Sequence, residues 1–335
     1  MSTNFDRSIS HKITIPTIEP ISEPIQRPFW SVMITIYNRT DYLEQCIKSV
    51  LAEGFSPEEM QIEVVDDHST KADIEKLVQS IAPGRVGFYR QPKNMGISEN
   101  WNTCIRRAQG HWVHILSDDD QILPGFYENY RQQINNNCSC LFVVGQSVFI
   151  NDKDQWIGVS PPMPTLDSLF KDAKWVLATG CPIRVPGIVV AREAYEKVGG
   201  FSPDLVFALD WEMWNRLAAT VDVGYVDRPF SLYREHDGSA SMRLVLEGIV
   251  FSDRVKAAKT IQARFSAPED KKRLQSLLNQ HLSDSCQTLS GVLIHQGYYG
   301  AAIKQAALAI QVKPSFYSFK NFFSVLVKIC AKLVK

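Results

Sequence analysis

The chain has 335 residues, 36 basic and 36 acidic side chains, 45% apolar residues and 21% charged ones. That is enough for one large domain or a core domain with an appendage, and the composition is that of an ordinary globular protein. Zero net charge argues for neither nucleic acid nor membrane, and no nucleic-acid partner is expected. The longest apolar run, CLFVVGQSVFI at 140–150, is shorter than the ~20 residues that cross a bilayer.

Seven cysteines, with Cys138 and Cys140 as a lone C-x-C, lack metal-site spacing and read as reduced thiols of a cytoplasmic protein. The polar start MSTNFDRSISHK reads as a chain without a signal peptide. Residues 1–28 carry Pro16, Pro20, Pro24 and Pro28 and little periodicity, which predicts an extended arm of disordered composition. FWSVMITI (29–36) predicts a buried strand. Leu43, Cys46, Ile47, Val50 and Leu51 predict a helix, with Asp41 and Glu44 resembling a capping box. IEVV (62–65) is the next strand, and Ile74, Leu77, Val78 and Ile81 mark the next helix. VGFYR (86–90) is a third strand, Trp101, Cys104, Ile105 and Ala108 a third helix, and HWVHIL (111–116) a fourth strand before a helix after Pro124.

Strands alternating with helices predict an α/β domain with a largely parallel sheet. The text from 140 to 240 is mixed, with strands near 141–150 and 187–191 and a helix near 210–219. Beyond 245 it is helical, with a hairpin over 285–312. The expected division is an arm (1–28), an α/β domain (29–244) and a helical region (245–335).

Ligands bind at the carboxyl ends of the strands of such a sheet. Tyr37-Asn38 follow the first strand, Asp66-Asp67 the second and Asp118-Asp119-Asp120 the fourth. No G-x-G-x-x-G or Walker A sequence is present, so this edge is not a glycine cradle for phosphate. Carboxylates repel phosphate but can hold it through a divalent cation. The same aspartates, taken singly, fit ordinary turn and cap chemistry.

Six pieces occur in order: SVMITIYNRTDYLEQCIKSVL, EVVDDHST, NMGISENWN, ILSDDDQILPG, VGGFSPDLVFALDWEMWNRLA and YREHDGSAS. Together, over about residues 29–241, they resemble a family-2 glycosyltransferase of the GT-A fold, a bacterial-type glycan-synthesising enzyme. The resemblance implies a Rossmann-like, mixed, mostly parallel sheet flanked by helices, here with a helical C-terminal extension. It implies that Thr35 and Tyr37 line the base pocket and that Asp67 accepts a hydrogen bond from the base. Gly96 would let the chain turn close to the nucleotide, with Asn100 and Asn102 nearby. Ser117 stands where the family's Asp-x-Asp motif often begins, giving the S-D-D variant. Asp119 becomes the metal ligand, Asp118 a ribose or metal-water contact, and His236 a second metal or diphosphate contact. Asp210 matches the catalytic base, although the family more often has an acidic residue where Leu209 stands.

Inversion needs a base on the acceptor hydroxyl, and a carboxylate of ordinary pKa, about 3.9, is ionised at neutral pH. The expected reaction is metal-dependent (Mn²⁺ or Mg²⁺) sugar transfer from a UDP-, dTDP- or GDP-linked donor to a hydroxyl of a glycan or lipid-linked acceptor. Trp156 and Trp175 are candidates for acceptor stacking, Trp211 and Trp214 for core. The competing readings are a sugar-phosphate nucleotidyltransferase, which would show a glycine-rich loop after the first strand, and a non-catalytic sugar-nucleotide-binding relative.

After Asp284 the chain has no acid but carries Lys304, Lys313, Lys320, Lys328, Lys332 and Lys335. In 314–335, Phe316, Phe319, Phe322, Phe323, Leu326, Ile329, Cys330 and Leu333 fall near helical spacing. That pattern suits an amphipathic helix on an anionic leaflet, with a helix packed on the protein body or on a dimer partner as the competing reading. The expected location is cytoplasmic, with peripheral attachment to the inner face of the membrane through this tail.

Overall fold

The computed structural model describes residues 12–22, 26–137, 139–166, 169–236, 238 and 240–333. Cys138, Lys335 and the first eleven residues of the arm lie outside the described residues. Two compact units emerge. One runs from Thr14 to Asp237 apart from Ala178–Gly180, which belong with the other, built on the chain from Gly238 onward.

In the first unit β1 (Trp30–Ile36) is buried along its whole length, as an unbroken apolar run requires. It lies parallel to β2 (Met60–Asp66) on one side and β4 (Trp112–Ser117) on the other, and β3 (Gly87–Arg90) extends the parallel set beyond β2. The connections are α1 (Leu43–Leu51), α2 (Ile74–Ile81) and α3 (Ile97–Arg107). Beyond β4 the sheet turns mixed. Strand β10 (Ile188–Ala191) is antiparallel to both β4 and β6 (Cys140–Ile150), and β6 pairs in parallel with β11 (Asp222–Arg234). Four short strands, β5 (Gln121–Ile122), β7 (Trp156–Val159), β8 (Thr165–Leu166) and β9 (Leu169–Phe170), complete eleven strands among the described residues. Flanking these are α4 (Phe126–Asn136), α5 (Ala173–Thr179), α6 (Arg192–Val198) and α7 (Leu209–Ala218).

The main core lies between the parallel strands and their helices, where Trp30, Ile34, Leu43, Ile47, Leu116 and Phe126 pack together. Two sequence expectations are corrected. The capping box at Asp41 and Glu44 does not form: the cap position is Tyr42, in helical geometry and without a side-chain bond, and Glu44 instead pairs with Lys48, 2.6 Å away on the exposed face. The arm is described only over 12–22 and 26–28, where it carries no helix or strand, and its described residues from Thr14 onward pack onto the sheet unit. Ile18 is buried, Gly200 N–H donates to Pro16 O and Arg192 donates to Glu19 O. One apolar anchor and backbone bonds order a segment whose composition carries no periodic signal.

In the second unit α8 (Ala240–Leu246) and α9 (Val250–Ala263) lead into a helical hairpin. Its arms are α10 (Pro268–His295) and α11 (Tyr299–Val312), so it begins well before the expected residue 285. Leu274, Leu278 and Leu282 repeat every turn along the buried face of α10, and Ala302, Ala306 and Ala309 give α11 a buried small-residue face. The last helix, α12 (Phe316–Leu333), buries Ser318, Val325 and Ile329, and Asn321 and Lys332 bond Ser290 Oγ and Ile294 O of α10. The opposite side of α12 leaves Phe316, Phe319, Phe323 and Val327 exposed. Among the described residues no helix is long and apolar enough to cross a membrane.

His114, buried in β4, stacks on Phe126. Its Nε2 lies 3.1 Å from Pro186 O and its Nδ1 2.9 Å from the Tyr127 hydroxyl. A carbonyl only accepts, so Nε2 carries the proton and Nδ1 accepts from Tyr127. Burial pushes this imidazole down from 6.5 to about 3, the Pro186 carbonyl opposing. Between these pH values the unfolded chain binds a proton that the folded chain refuses. This contribution to stability is therefore present above pH 6.5 and lost as pH falls towards 3. His114→Gln is expected to flatten the acid side of the stability–pH curve by up to about 1.4 kcal/mol per pH unit. Urea midpoints at a series of pH values check it; an unchanged slope contradicts it.

Candidate active site

The register of the parallel strands brings the sequence's acidic positions to one edge. Thr35 lies opposite Ser117, and Ile36 opposite Asp66. Immediately beyond, Asp67 N–H donates to Ile36 O at 2.9 Å and Asp118 N–H donates to Thr35 O at 3.1 Å. Thr35 is buried, and Tyr37, the next side chain but one, stands exposed. Asn38 takes the left-handed conformation at φ 57°, and its Oδ1 accepts from Thr70 N–H at 2.7 Å and Lys71 N–H at 3.2 Å. That turn points Arg39 into the edge.

The two adjacent aspartates after β2 do different work. Asp66 is buried and closes a turn on Ser69. Asp67 fastens the loop before α3: Oδ1 accepts from Met95 N–H at 2.7 Å, and Oδ2 accepts from Gly96 N–H at 3.0 Å and Asn94 Nδ2 at 2.9 Å. Burial pushes the Asp67 carboxyl up, against the pull of the two N–H groups. Of about four acceptor sites on the carboxylate, one remains on Oδ1 for a further donor. Gly96 sits at φ 83°, where a side chain would be strained. Asn100 is buried, donating to Val65 O at 3.1 Å and accepting from Gln91, while Asn102 clamps both backbone groups of Phe201. These two asparagines hold α3 in place beneath the edge.

The three aspartates after β4 are likewise distinct. Asp120 accepts from Arg234 N–H at 3.0 Å, and Arg234 Nε donates to Asp119 O at 2.9 Å, so β11 holds the loop shut. Burial, reinforced by Asp119, pushes Asp120 well up. Asp118 takes a two-pronged contact from Arg39: Nε at 3.2 Å and Nη2 at 3.1 Å. Burial and the charge of Asp119 push Asp118 up to about 7 even so. Asp119 goes the other way: burial raises it, but hydrogen bonding to His236 and the charge of Arg39 outweigh that and hold it low. Its Oδ2 lies 2.7 Å from Arg39 Nη2 and 3.1 Å from His236 Nε2. Burial works against the Arg39 charge, but Asp118 and Asp119 more than offset it and raise its pKa.

Asp119 Oδ2 and His236 Nε2 therefore lie side by side against the Arg39 guanidinium, Oδ2 at Nη2 and Nε2 at Nη1. Their 3.1 Å separation matches the ~3 Å between neighbouring ligands of an octahedral cation with bonds of about 2.1 Å. Among the described residues no group of three or more His, Cys, Asp or Glu side chains is arranged to hold a metal. Two protein ligands still suit a cation that completes its shell with water and phosphate oxygens.

Asp210 is the second residue of α7, after the cap Ala208, and its Oδ1 accepts from Trp211 N–H at 2.7 Å. Burial raises the Tyr233 phenol, and Asp120, Asp119 and Asp210 add to this against the Arg184 charge. Trp211 and Trp214 are buried, and Trp156 is exposed on β7. Sequence reasoning missed Arg39, Arg234 and Arg184, whose guanidinium stacks at 5.6 Å over the Tyr233 ring. The first two lie inside motif pieces, SVMITIYNRTDYLEQCIKSVL and YREHDGSAS, which was the available signal for them.

The family model for "Glycosyl transferase family 2" matches residues 31–199, half of the chain. The chain belongs to glycosyl transferase family 2. This family-2 transferase is 23% identical over 262 residues to an uncharacterized glycosyltransferase of Rickettsia prowazekii, spanning 76% of this chain and 73% of that one. It is 30% identical over 118 residues to the GalNAc(5)-diNAcBac-PP-undecaprenol beta-1,3-glucosyltransferase of Campylobacter jejuni, spanning 34% of this chain and 37% of that one. Among solved structures, TarS 1-349 of S. aureus superposes with a TM-score of 0.59 at 15% identity, covering 91% of this chain and 92% of that one. The same TarS fragment in complex with UDP-GlcNAc gives a TM-score of 0.56 at 15% identity, with 88% of each chain covered. The fold is thus GT-A-like, and the transferase reading of the six motif pieces stands.

Asp67→Ala leaves the N–H groups of Met95 and Gly96 without their acceptor in this family-2 transferase. A loss of about 1–3 kcal/mol of stability is expected, together with faster hydrogen exchange at those two amides. Unchanged exchange at Met95 and Gly96 would rule out the fastening role.

Proposed function

We propose that the protein is a metal-dependent, inverting glycosyltransferase that moves a sugar from a nucleoside-diphosphate donor to a hydroxyl of a glycan or lipid-linked acceptor. The observation that carries this reading is the convergence of Asp119 Oδ2 and His236 Nε2 on one positive centre at the carboxyl edge of the sheet. Thr35, Tyr37 and Gly96 line the nucleotide side of that edge, with Asn100 behind them. Asp67 offers its remaining acceptor site to a ring N–H, which suits uracil or thymine and also guanine. Asp119 and His236 would hold Mn²⁺ or Mg²⁺, with Asp118 beside them. The cation supplies charge to offset that developing on the leaving diphosphate. Asp210, at the start of a helix whose N-terminus favours the ionised carboxylate, takes the proton from the acceptor hydroxyl as that oxygen bonds to the anomeric carbon on the face opposite the diphosphate. No covalent intermediate on the chain is needed.

The catalytic domain in this proposal is 29–244, and 245–335 serves as a helical extension. The relative whose name includes a polyprenyl-diphosphate acceptor supports a lipid-linked acceptor here. A cytoplasmic enzyme acting on such an acceptor would sit on the inner face of the membrane. The tail supports this too: α12 buries one side within its own unit and leaves Phe316, Phe323 and Val327 at 75%, 61% and 68% exposure. Lys320 and Lys328 are exposed on the same helix, and each lysine adds about 1 kcal/mol at an anionic surface.

Calorimetric titration with UDP, dTDP and GDP, each with and without Mn²⁺, should give tight, metal-requiring binding of one nucleotide that is lost in Asp119→Ala. Asp210→Asn should bind that nucleotide normally while turnover falls about 10²–10⁴-fold; normal turnover would remove Asp210 as the base. Vesicles containing phosphatidylglycerol should sediment the full chain but not Phe323→Glu. Equal sedimentation of the two would refute the membrane contact.

A further inference from the structure

We infer that Arg39 couples cation binding to nucleotide binding, by standing in the cation's place until a diphosphate gives it a new partner. This rests on the reading of Asp119 and His236 as cation ligands.

The guanidinium lies on the very atoms that a cation would use. Nη2 is 2.7 Å from Asp119 Oδ2, and Nη1 is 2.8 Å from His236 Nε2. An arginine N–H can only donate, so His236 Nε2 receives it with a lone pair, the form in which imidazole binds a metal. In that form the nitrogen does not also donate to Asp119 Oδ2, 3.1 Å away; that hydrogen bond belongs to the other tautomer. The guanidinium covers both of these atoms, and a divalent ion bound to them cannot share that position with it.

The movable part is the side chain. The backbone beside it is tied down, with Asn38 N–H on Ser69 Oγ and Asn38 Oδ1 on the 70–71 backbone. The Arg39 side chain itself is 19% exposed and flanked by the Tyr42 ring, with its centre 5.9 Å away, so it has a route towards solvent. A cation arriving alone must break the ion pairs of Arg39 with Asp118 and Asp119 and leave the guanidinium without a partner. A cation arriving with a diphosphate meets a different balance, because phosphate oxygens accept the two-pronged guanidinium contact that the carboxylates give up. Each ligand then raises the affinity of the other by more than their direct contact provides, and by the same factor in both directions.

The test is Mn²⁺ binding to the full chain, read from the electron paramagnetic resonance of free Mn²⁺, with and without UDP. Wild type, Arg39→Gln and Arg39→Lys are compared, with Asp119→Asn as the control that removes a ligand. Arg39→Gln should bind Mn²⁺ alone about tenfold tighter, the scale of one charge-assisted contact. The factor by which UDP improves Mn²⁺ binding should be smaller than in wild type, and Arg39→Lys should fall between the two. If the neutral variant folds only once Mn²⁺ is added, the same exchange is being read as stability and the inference stands. If Arg39→Gln binds Mn²⁺ no tighter than wild type, or keeps the full UDP factor, the inference is overturned while the metal reading survives. If wild type binds no Mn²⁺ even with UDP, the metal reading itself falls and takes this inference with it.

Discussion

Two arginines hold the acidic edge of this sheet together, and most of the site's geometry depends on them. Three consecutive aspartates at the end of a buried strand would repel one another if all were charged and unpaired. Arg234 fixes the loop from one side, with its own N–H on Asp120 and its guanidinium on Asp119 O, Asn151 O and Asp154. Arg39 enters from the other side and neutralises Asp118 and Asp119. Both guanidinium groups lie near the Tyr42 ring, that of Arg234 at 4.1 Å and that of Arg39 at 5.9 Å from its centre. The result is an edge in which Arg234 and the backbone form a fixed frame and the Arg39 side chain supplies the balancing charge.

That edge gives identical residues unlike chemistry. Asp120 is a structural acceptor raised by burial, Asp118 is balanced near neutrality, and Asp119 is held charged. The pattern repeats after β2, where Asp66 closes a turn and Asp67 ties down the loop that opens α3. After β2 the first aspartate closes a turn and the second fastens a loop, whereas after β4 the first two meet Arg39 and the last serves the scaffold, according to which hydrogen-bond donors the surrounding segments bring near. Such division of labour is how a cluster of one residue type can carry a site without electrostatic collapse.

The helical unit follows a different rule. Its core is built from residues one or two turns apart, such as Leu274, Leu278 and Leu282, and from small side chains on α11 that allow close packing. Because α12 buries one side and exposes four large apolar residues on the other, packing on protein and contact with a further surface are not alternatives for this helix. Its two sides are free to serve both.

Sequence alone determined a good deal here. Apart from the two-residue β5, the order of strands and helices through residue 136 was legible because apolar runs and helical spacing are local signals, and six motif pieces in order identified the family. The sequence also placed Asp67, Asp118 and Asp119 at strand ends, since in a parallel sheet all carboxyl ends face one way. Tertiary structure decided what those residues touch. The packing of the arm through Ile18, the burial of Asn100 and Asn102, and the meeting of Arg39 with His236, 197 positions apart, depend on contacts between distant segments. Periodicity reports only which face of an element is apolar. It says nothing of which donor a buried carboxylate will find, because that is fixed by strand order and register across the whole sheet.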